Sequence, residues 1–255
     1  MRTAVFVIAR TGSTRLPRKA LLSICGRSVI EHLVERMKRV KQADLIVVCT
    51  TTLPGDDALE EVARRSGVEC FRGDPDDVLD RCLHAAQHFG VEFFAYAEGD
   101  EVFCDPEFVD RVIERYRETG ADYVSVDGLP IGAYTAGIRV DALGKVCELK
   151  LDSHSEGWGR YFTETGLFRI ERIQVKDPDV NQPAARLTLD YPEDLELTRR
   201  IYDQLYENGK IVGLRDVMAL LRNNPQLLEI NGNRVRSYAA HTAAYPPLRV
   251  RDKGF

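Results

Sequence analysis

The 255-residue sequence has no apolar run long enough to span a bilayer, so no helical membrane segment is expected. Its opening MRTAVFVIAR has one early Arg and a short apolar stretch but no small-residue cleavage site behind it, which reads as a buried first strand rather than a signal peptide. The six cysteines (25, 49, 70, 82, 104, 147) form no CxxC pair and no cluster with histidine, which argues against zinc and against a disulfide framework. A reducing, cytoplasmic setting is therefore expected. No internal repeat, low-complexity segment or linker divides the chain, and one α/β domain is the natural organisation for this length. The GxxxxGK[ST] spacing of a P-loop and the GxGxxG of dinucleotide folds are both missing. No histidine falls in a motif; His32, His84 and His88 fall on expected helices. The net charge of −5 argues against general nucleic-acid binding.

The charge that is present is unevenly placed. Residues 1–41 carry ten Lys or Arg and two acids, a balance of +8 against −13 for the remainder. Arg36, Lys38, Arg39 and Lys41 fit a solvated helix face, whereas Arg10, Arg15, Arg18 and Lys19 crowd one loop. Strand and helix signals alternate through the first half. Strands are expected at 3–9, 45–50, 68–71 and 93–100. Between them, a Ser28/Glu31 capping box, Asp74-Pro75 and Asp105-Pro106 mark helix starts, and Gly67, Gly90 and Gly120 mark helix stops. This is the pattern of βαβ units, hence a mainly parallel sheet with ligands at the carboxyl ends of its strands. The loop 10–19, Thr50 and the Gly99-Asp100 turn are expected to meet there. Further on, strands are expected at 122–127, 167–170 and 187–190. A helix runs from Pro192 to about Gly209, another spans 214–222, and YPPLRVRDKGF reads as an irregular tail.

Three motifs carry chemistry. IARTGSTRLPRK (8–19) follows a strand directly: its small residues and Gly12 let backbone amides approach an anion, and its cations can neutralise several phosphate oxygens at once. A merely basic loop is the alternative. AEGDEVFCDPEFVD (97–110) ends a strand in Gly99-Asp100, and an acid so placed can hold Mg²⁺, which takes one or two carboxylates with substrate phosphates. Asp105 is explained as a helix cap. In RLTLDYPEDLEL (186–197), Asp190 is either a second carboxylate at that metal or a cap, while Glu193 and Asp194 suit the first turn of a helix.

Together these motifs, with FRGDPDDVLDR (71–81), resemble the SpsF-like (spore coat polysaccharide) cytidylyltransferases, related to CMP-KDO and CMP-sialic acid synthetases, over roughly residues 3–230. The resemblance implies a single-domain, three-layer α/β/α fold of the nucleotide-diphosphosugar-transferase type. It implies a nucleotide-binding half (1–125), an acceptor and dimerisation half (126–210) and a C-terminal helix and tail (211–255). It further implies transfer of CMP from CTP to an acidic sugar-like acceptor, with Mg²⁺ on Asp100 and Asp190, and a homodimer. Arg10 and Lys19 would hold the phosphates, with Ala9, Gly12, Ser13, Arg15 and Gly99 shaping the loop. Arg72 would lie near the cytidine, with Asp77 or Arg81 bordering the same pocket. Where SpsF-like relatives show an EHVTP-like stretch, this chain reads SEGWGRYFTETGLF (155–168). Arg160 and Glu164 are the acceptor candidates there, and Trp158 suits either packing or acceptor contact. Rival readings are the same site acting on a sugar phosphate, polyol phosphate or phosphonate, a glycosyltransferase (the turn reads GDE rather than the usual DxD), and a non-catalytic nucleotide binder.

Overall fold

The opening apolar run becomes the middle of a sheet. In the computed structural model, which describes residues 1–153 and 157–251, strand β1 (Thr3–Ile8) is buried along its length and paired on both sides. A short ribbon of β2 (Ser23–Ile24) and β3 (Arg27–Ser28) leads into α1 (Val29–Met37). The alternation then continues through β4 (Leu45–Thr51), α2 (Asp57–Ser66), β5 (Glu69–Gly73), α3 (Val78–Phe89), β6 (Phe93–Glu98) and α4 (Pro106–Thr119). After it come β7 (Tyr123–Asp127), β8 (Ala136–Arg139), α5 (Val140–Leu149), α6 (Arg160–Thr163) and β9 (Ile170–Gln174). Three helices follow: α7 (Pro192–Leu205), α8 (Leu214–Asn223) and α9 (Gly232–Ala243). None of the described helices is long and apolar enough to cross a membrane.

Seven strands lie in the order β5-β4-β1-β6-β8-β7-β9. All neighbours are parallel except β8, which runs antiparallel to β6 and β7. The short link 128–135 holds no crossover helix, so β8 returns antiparallel to β7. Pleating sends Val5 and Val7 of β1 to one face and Ala4, Phe6 and Ile8 to the other. Residues of α1, α2, α4, α7 and α8 cover the first face, and those of α3, α5 and α6 cover the second. This is the expected three-layer α/β/α arrangement. Fully buried rings such as Phe6, stacked on Phe94 at 4.2 Å, each contribute roughly 1.5–3 kcal/mol by leaving water.

Local chemistry sets the helix limits. Ser28 and Glu31 form the expected capping box, with the Ser28 amide donating to the Glu31 carboxylate at 2.7 Å. The stops at Gly67, Gly90 and Gly120 are found, each in the left-handed conformation. Five expectations are corrected. Arg36, expected on a solvated helix face, is 1% exposed and donates to the Cys104 carbonyl at 3.0 Å. The cap of α3 is Asp77, not Asp74, whose carboxylate instead takes the amides of Asp76 and Asp77 and tightens the preceding turn. The strand expected at 167–170 lies further on, as β9. The helix from Pro192 stops at Leu205 rather than near Gly209. The segment 187–190 is extended but forms no strand: Arg186 makes an isolated bridge to Ile131, and Leu187 donates to the Ile131 carbonyl at 2.6 Å. Its close neighbour is Gly132, where a Cβ would meet the Thr188 nitrogen at 2.1 Å. Only a glycine lets the two backbones come this near.

The C-terminal region differs most. No helix is read from the sequence between 223 and 244, but residues 232–243 form α9, ahead of the irregular tail expected at 245–255. Val250 then bridges Lys150, with Leu151 donating to the Arg249 carbonyl at 3.0 Å. The last four residues of the predicted tail lie outside the described residues.

Candidate active site

The site begins where β1 ends. The Gly99 amide donates to the Ile8 carbonyl at 2.8 Å, and a Cβ on Gly99 would stand 2.7 Å from that of Ala9. Glycine at 99 thus lets the turn after β6 lie directly on the turn after β1. The loop that follows β1 is pinned from α2's side. Asp56, almost fully buried, accepts from the Thr11 amide at 2.7 Å and its hydroxyl at 2.6 Å, and also from the Thr51 hydroxyl. Further along, Arg18 adopts φ 55°, and this left-handed residue starts a single 3₁₀ turn that carries Lys19.

Lys19 joins the two acids from distant parts of the chain. Its Nζ lies 2.5 Å from Asp100 Oδ2 and 3.0 Å from Asp190 Oδ1. Asp100 sits just past β6, and its carbonyl accepts from the Leu189 amide at 3.1 Å, so a backbone bond brings the Asp190 segment to it. The same Asp190 oxygen accepts from Arg15 at 3.0 Å, and its other oxygen from Arg186 at 3.1 Å. Arg186, fully buried as a side chain, forks onto Asp194 at 3.0 and 2.8 Å. Asp194 also accepts from the amides of Asp190 and Tyr191, both at 3.0 Å, and from Asn231 Nδ2 at 2.9 Å. This clamp fixes Asp190 from behind. Charge-assisted bonds of this kind are about twice as strong as neutral ones.

The electrostatics follow. Burial by itself would raise the Asp190 carboxyl, but the Lys19 charge and hydrogen bond, with Arg15, outweigh it and hold it at about 2. Burial opposes the Lys19 charge, yet Asp100 and Asp190 push its pKa above the ordinary lysine value. Behind them Glu98 rises to about 7, through desolvation and then repulsion from Asp100, against Lys19. Glu101, whose carboxylate accepts from the Glu98 amide at 3.0 Å, is raised well above the usual range by burial and by Glu98. The depressed Asp190 value has a consequence for stability. A group whose folded pKa lies below its unfolded one stabilises fully above the unfolded value and loses that contribution as pH falls through the folded one. The urea midpoint is therefore expected to drop between about pH 4 and pH 2. A smaller drop is expected in Asp190→Asn, measured by urea titration at stepped pH.

These residues line a cavity of about 540 Å³ at the carboxyl ends of β1 and β6. Ala9, Arg10, Gly12, Ser13, Arg15, Lys19, Gly99, Asp100 and Asp190 all border it, as expected from the sequence. Arg10 donates to the Pro75 carbonyl at 3.3 Å, and Arg81 to that of Asp74 at 2.6 Å, and both line the same space. Trp158, 4% exposed, packs on Tyr96, 4.7 Å between ring centroids, and forms part of the wall.

Other expected residues stand apart from the cavity lining. Thr50 is buried inside β4. Arg72 donates to the carbonyls of Thr51 and Leu53, both at 2.9 Å, and pairs with Asp57 and Glu60, so it braces the β4–α2 connection. Asp77 caps α3 and pairs with Lys150. Arg160 and Glu164 neutralise one another at 2.8 and 2.9 Å, and Arg160 also donates to the Pro246 carbonyl. They are helix neighbours four apart, close enough to pair with each other. Of the divergent stretch 155–168, Ser155 and Glu156 lie outside the described residues.

Several lining residues were not singled out from the sequence: Tyr96, Tyr134, Tyr238, His241, Thr242 and Tyr245. The last four fall at i, i+3, i+4 and i+7, a helical stripe legible in principle. Arg186 was also missed as a partner, although it stands four residues before Asp190 and eight before Asp194 in one motif. As for a metal, no group of three or more His, Cys, Asp or Glu gathers as a ligand set among the described residues. Two carboxylates converging on one ammonium nevertheless suit Mg²⁺, which draws its remaining ligands from water and phosphate.

Residues 4–217 match a family model described as cytidylyltransferase. The chain is 28% identical over 233 residues to the spore coat polysaccharide biosynthesis protein SpsF of Bacillus subtilis, covering 88% of this chain and 96% of that one. It is 30% identical over 183 residues to the 3-deoxy-manno-octulosonate cytidylyltransferase of Geobacter sulfurreducens, covering 69% and 68%. Among solved structures, a cytidylyltransferase from Leptospira borgpetersenii superposes with a TM-score of 0.80 at 24% identity, covering 89% and 97%. A CMP:2-keto-3-deoxy-manno-octonic acid synthetase complexed with CTP gives 0.62 at 19%, covering 80% and 99%.

Proposed function

This chain belongs to the cytidylyltransferase family, and from that premise we propose that it transfers CMP from CTP to an acidic, sugar-like acceptor with release of pyrophosphate. It is a nucleotidyltransferase, and the observation that carries the finer reading is the Lys19 ammonium bridging Asp100 and Asp190 beside a cationic loop. The 3-deoxy-manno-octulosonate relative and the CTP-complexed neighbour support the choice of acceptor and nucleotide. In this reading an acceptor oxygen attacks the α-phosphorus in line, the bond to the β-phosphate oxygen breaks, pyrophosphate leaves, and the acceptor hydroxyl's proton passes to solvent water. Positioning and charge neutralisation dominate such a step, because the protein forms no bond to the phosphoryl group.

Lys19 and Arg10 neutralise the phosphate chain and the charge that collects on departing pyrophosphate. Arg15 and Arg186 hold Asp190 in its orientation. Gly12 and Ser13 keep the loop small enough for its backbone to lie against phosphate oxygens. Mg²⁺, held by Asp100 and Asp190, would polarise the α-phosphate. A cytoplasmic homodimer belongs to the same proposal.

The test is a matrix of nucleoside triphosphates against acidic sugars, sugar phosphates, polyol phosphates and phosphonates, with Mg²⁺, read as pyrophosphate release. CTP with an acidic sugar is expected to give the highest kcat/KM. Turnover confined to phosphorylated acceptors would overturn the acceptor assignment. CTP binding without any release would overturn catalysis itself.

A further inference from the structure

Residues 238, 241, 242 and 245 make a stripe at helical spacing, and in most surface helices such a stripe faces the core. Here it does not: α9 contains no buried residue, and Tyr238, His241 and Thr242 of α9, with Tyr245 just beyond it, border the active-site cavity instead. A helix face that borders a cavity is open to a ligand there, beside its protein neighbours Arg15 and Arg186.

The segment is held at both ends. Before α9, Asn231 is 1% exposed and donates to the Arg186 carbonyl at 3.1 Å and to Asp194 at 2.9 Å. Beyond it, Arg160 holds the Pro246 carbonyl at 2.9 Å, and Arg251 donates to the Leu149 carbonyl at 2.8 Å. In the middle, Arg15 lies 3.2 Å from His241 Nε2 and 3.0 Å from Asp190, so α9 is registered against an acid that lines the cavity. The ring of Tyr238 sits beneath the Arg186 guanidinium, 5.0 Å to the centroid. The family model's match ends at residue 217, ahead of α9.

The lining has two sources. Loop 10–19 with Pro75, Val78 and Arg81 comes from the first half of the chain. Tyr134, Trp158 and the α9 stripe come from the second. The second set combines aromatic faces with hydroxyl and imidazole groups. Aromatic faces accept the C–H side of a sugar ring, and short polar groups bond its hydroxyls.

We propose that α9 is the acceptor wall of this enzyme, with Tyr238, His241 and Thr242 selecting a hydroxylated sugar ring by direct hydrogen bonds. The proposal rests on the cytidylyl-transfer reading and adds the acceptor residues to it. Steady-state kinetics with CTP and the accepted acidic sugar test it in Tyr238→Phe, His241→Gln and Thr242→Val, three changes that keep side-chain volume on a helix without a core role. The acceptor KM is expected to rise about tenfold in at least two of them, as a lost hydrogen bond implies, with the KM for CTP changed less than about twofold. An unchanged acceptor KM in all three, with the wild type active, overturns this proposal alone. A wild type that releases pyrophosphate with no acceptor overturns the underlying reading and this one with it. Tryptic cleavage after the exposed Arg236 gives an independent readout. Acceptor added to CTP is expected to slow it at least threefold beyond CTP alone, whereas equal protection by CTP alone would make α9 a nucleotide contact and overturn the assignment.

Discussion

Asp100→Asn is expected to lower pyrophosphate release by about 10²–10³-fold, the usual loss when one group stabilising transition-state charge is removed. Nucleotide binding should survive, and for a definite reason. The substitution removes a negative charge 2.5 Å from Lys19, which leaves that ammonium freer to meet a phosphate. Arg10 and the loop pinned by Thr11 on Asp56 are untouched. Rapid-quench turnover beside equilibrium CTP binding separates the two quantities. A variant that turned over at the wild-type rate would show that Asp100 holds nothing the reaction needs. Loss of binding and turnover together would make it a structural residue.

Arg186→Met is expected to cost more stability than any surface change, about 3–5 kcal/mol, the penalty for stranding buried charges whose partner is gone. Arg186 has no solvent exposure, and it neutralises both Asp190 and Asp194. Its Nη1 has no hydrogen-bond partner, so the group is held by the two carboxylates and the tyrosine rings beside it. Arg186→Lys should recover only part of the loss, because one ammonium does not reproduce the fork onto Asp194. Urea unfolding of both variants measures this, and a midpoint equal to wild type in Arg186→Met would rule out the clamp. Activity should fall as well in the folded fraction, since Asp190 loses the bond at 3.1 Å that orients its second oxygen.

Much of the frame was legible in the sequence because its signals are local. The buried strand at 3–8, the Ser28/Glu31 cap and the glycine stops each depend on a few adjacent residues. The meeting of Lys19 with Asp100 was legible too, since strand order in a parallel sheet places both at one edge. Where reading failed, the deciding contact was distant. Asp74-Pro75 has the composition of a helix start, yet Asp77 wins the cap, with Lys150 paired to its carboxylate. Arg72 and Thr50 lie on suitable strands, but the first bends back to two carbonyls and the second is enclosed within the sheet. Segment 187–190 has a strand's composition, but it is tied to the 131–132 turn and to Asp100 instead of joining the sheet.

By itself, then, the chain determined its layers, the Ser28/Glu31 cap, the glycine stops and the cationic loop facing a strand-end acid, because periodicity, capping and charge act between near neighbours. Only the tertiary structure decided that Arg186 and Asn231 lock Asp190 from behind, and that the last helix turns its stripe toward the cavity. Those outcomes depend on bonds such as Arg15 to His241, 226 residues apart, which no local pattern specifies and only the closed fold makes short.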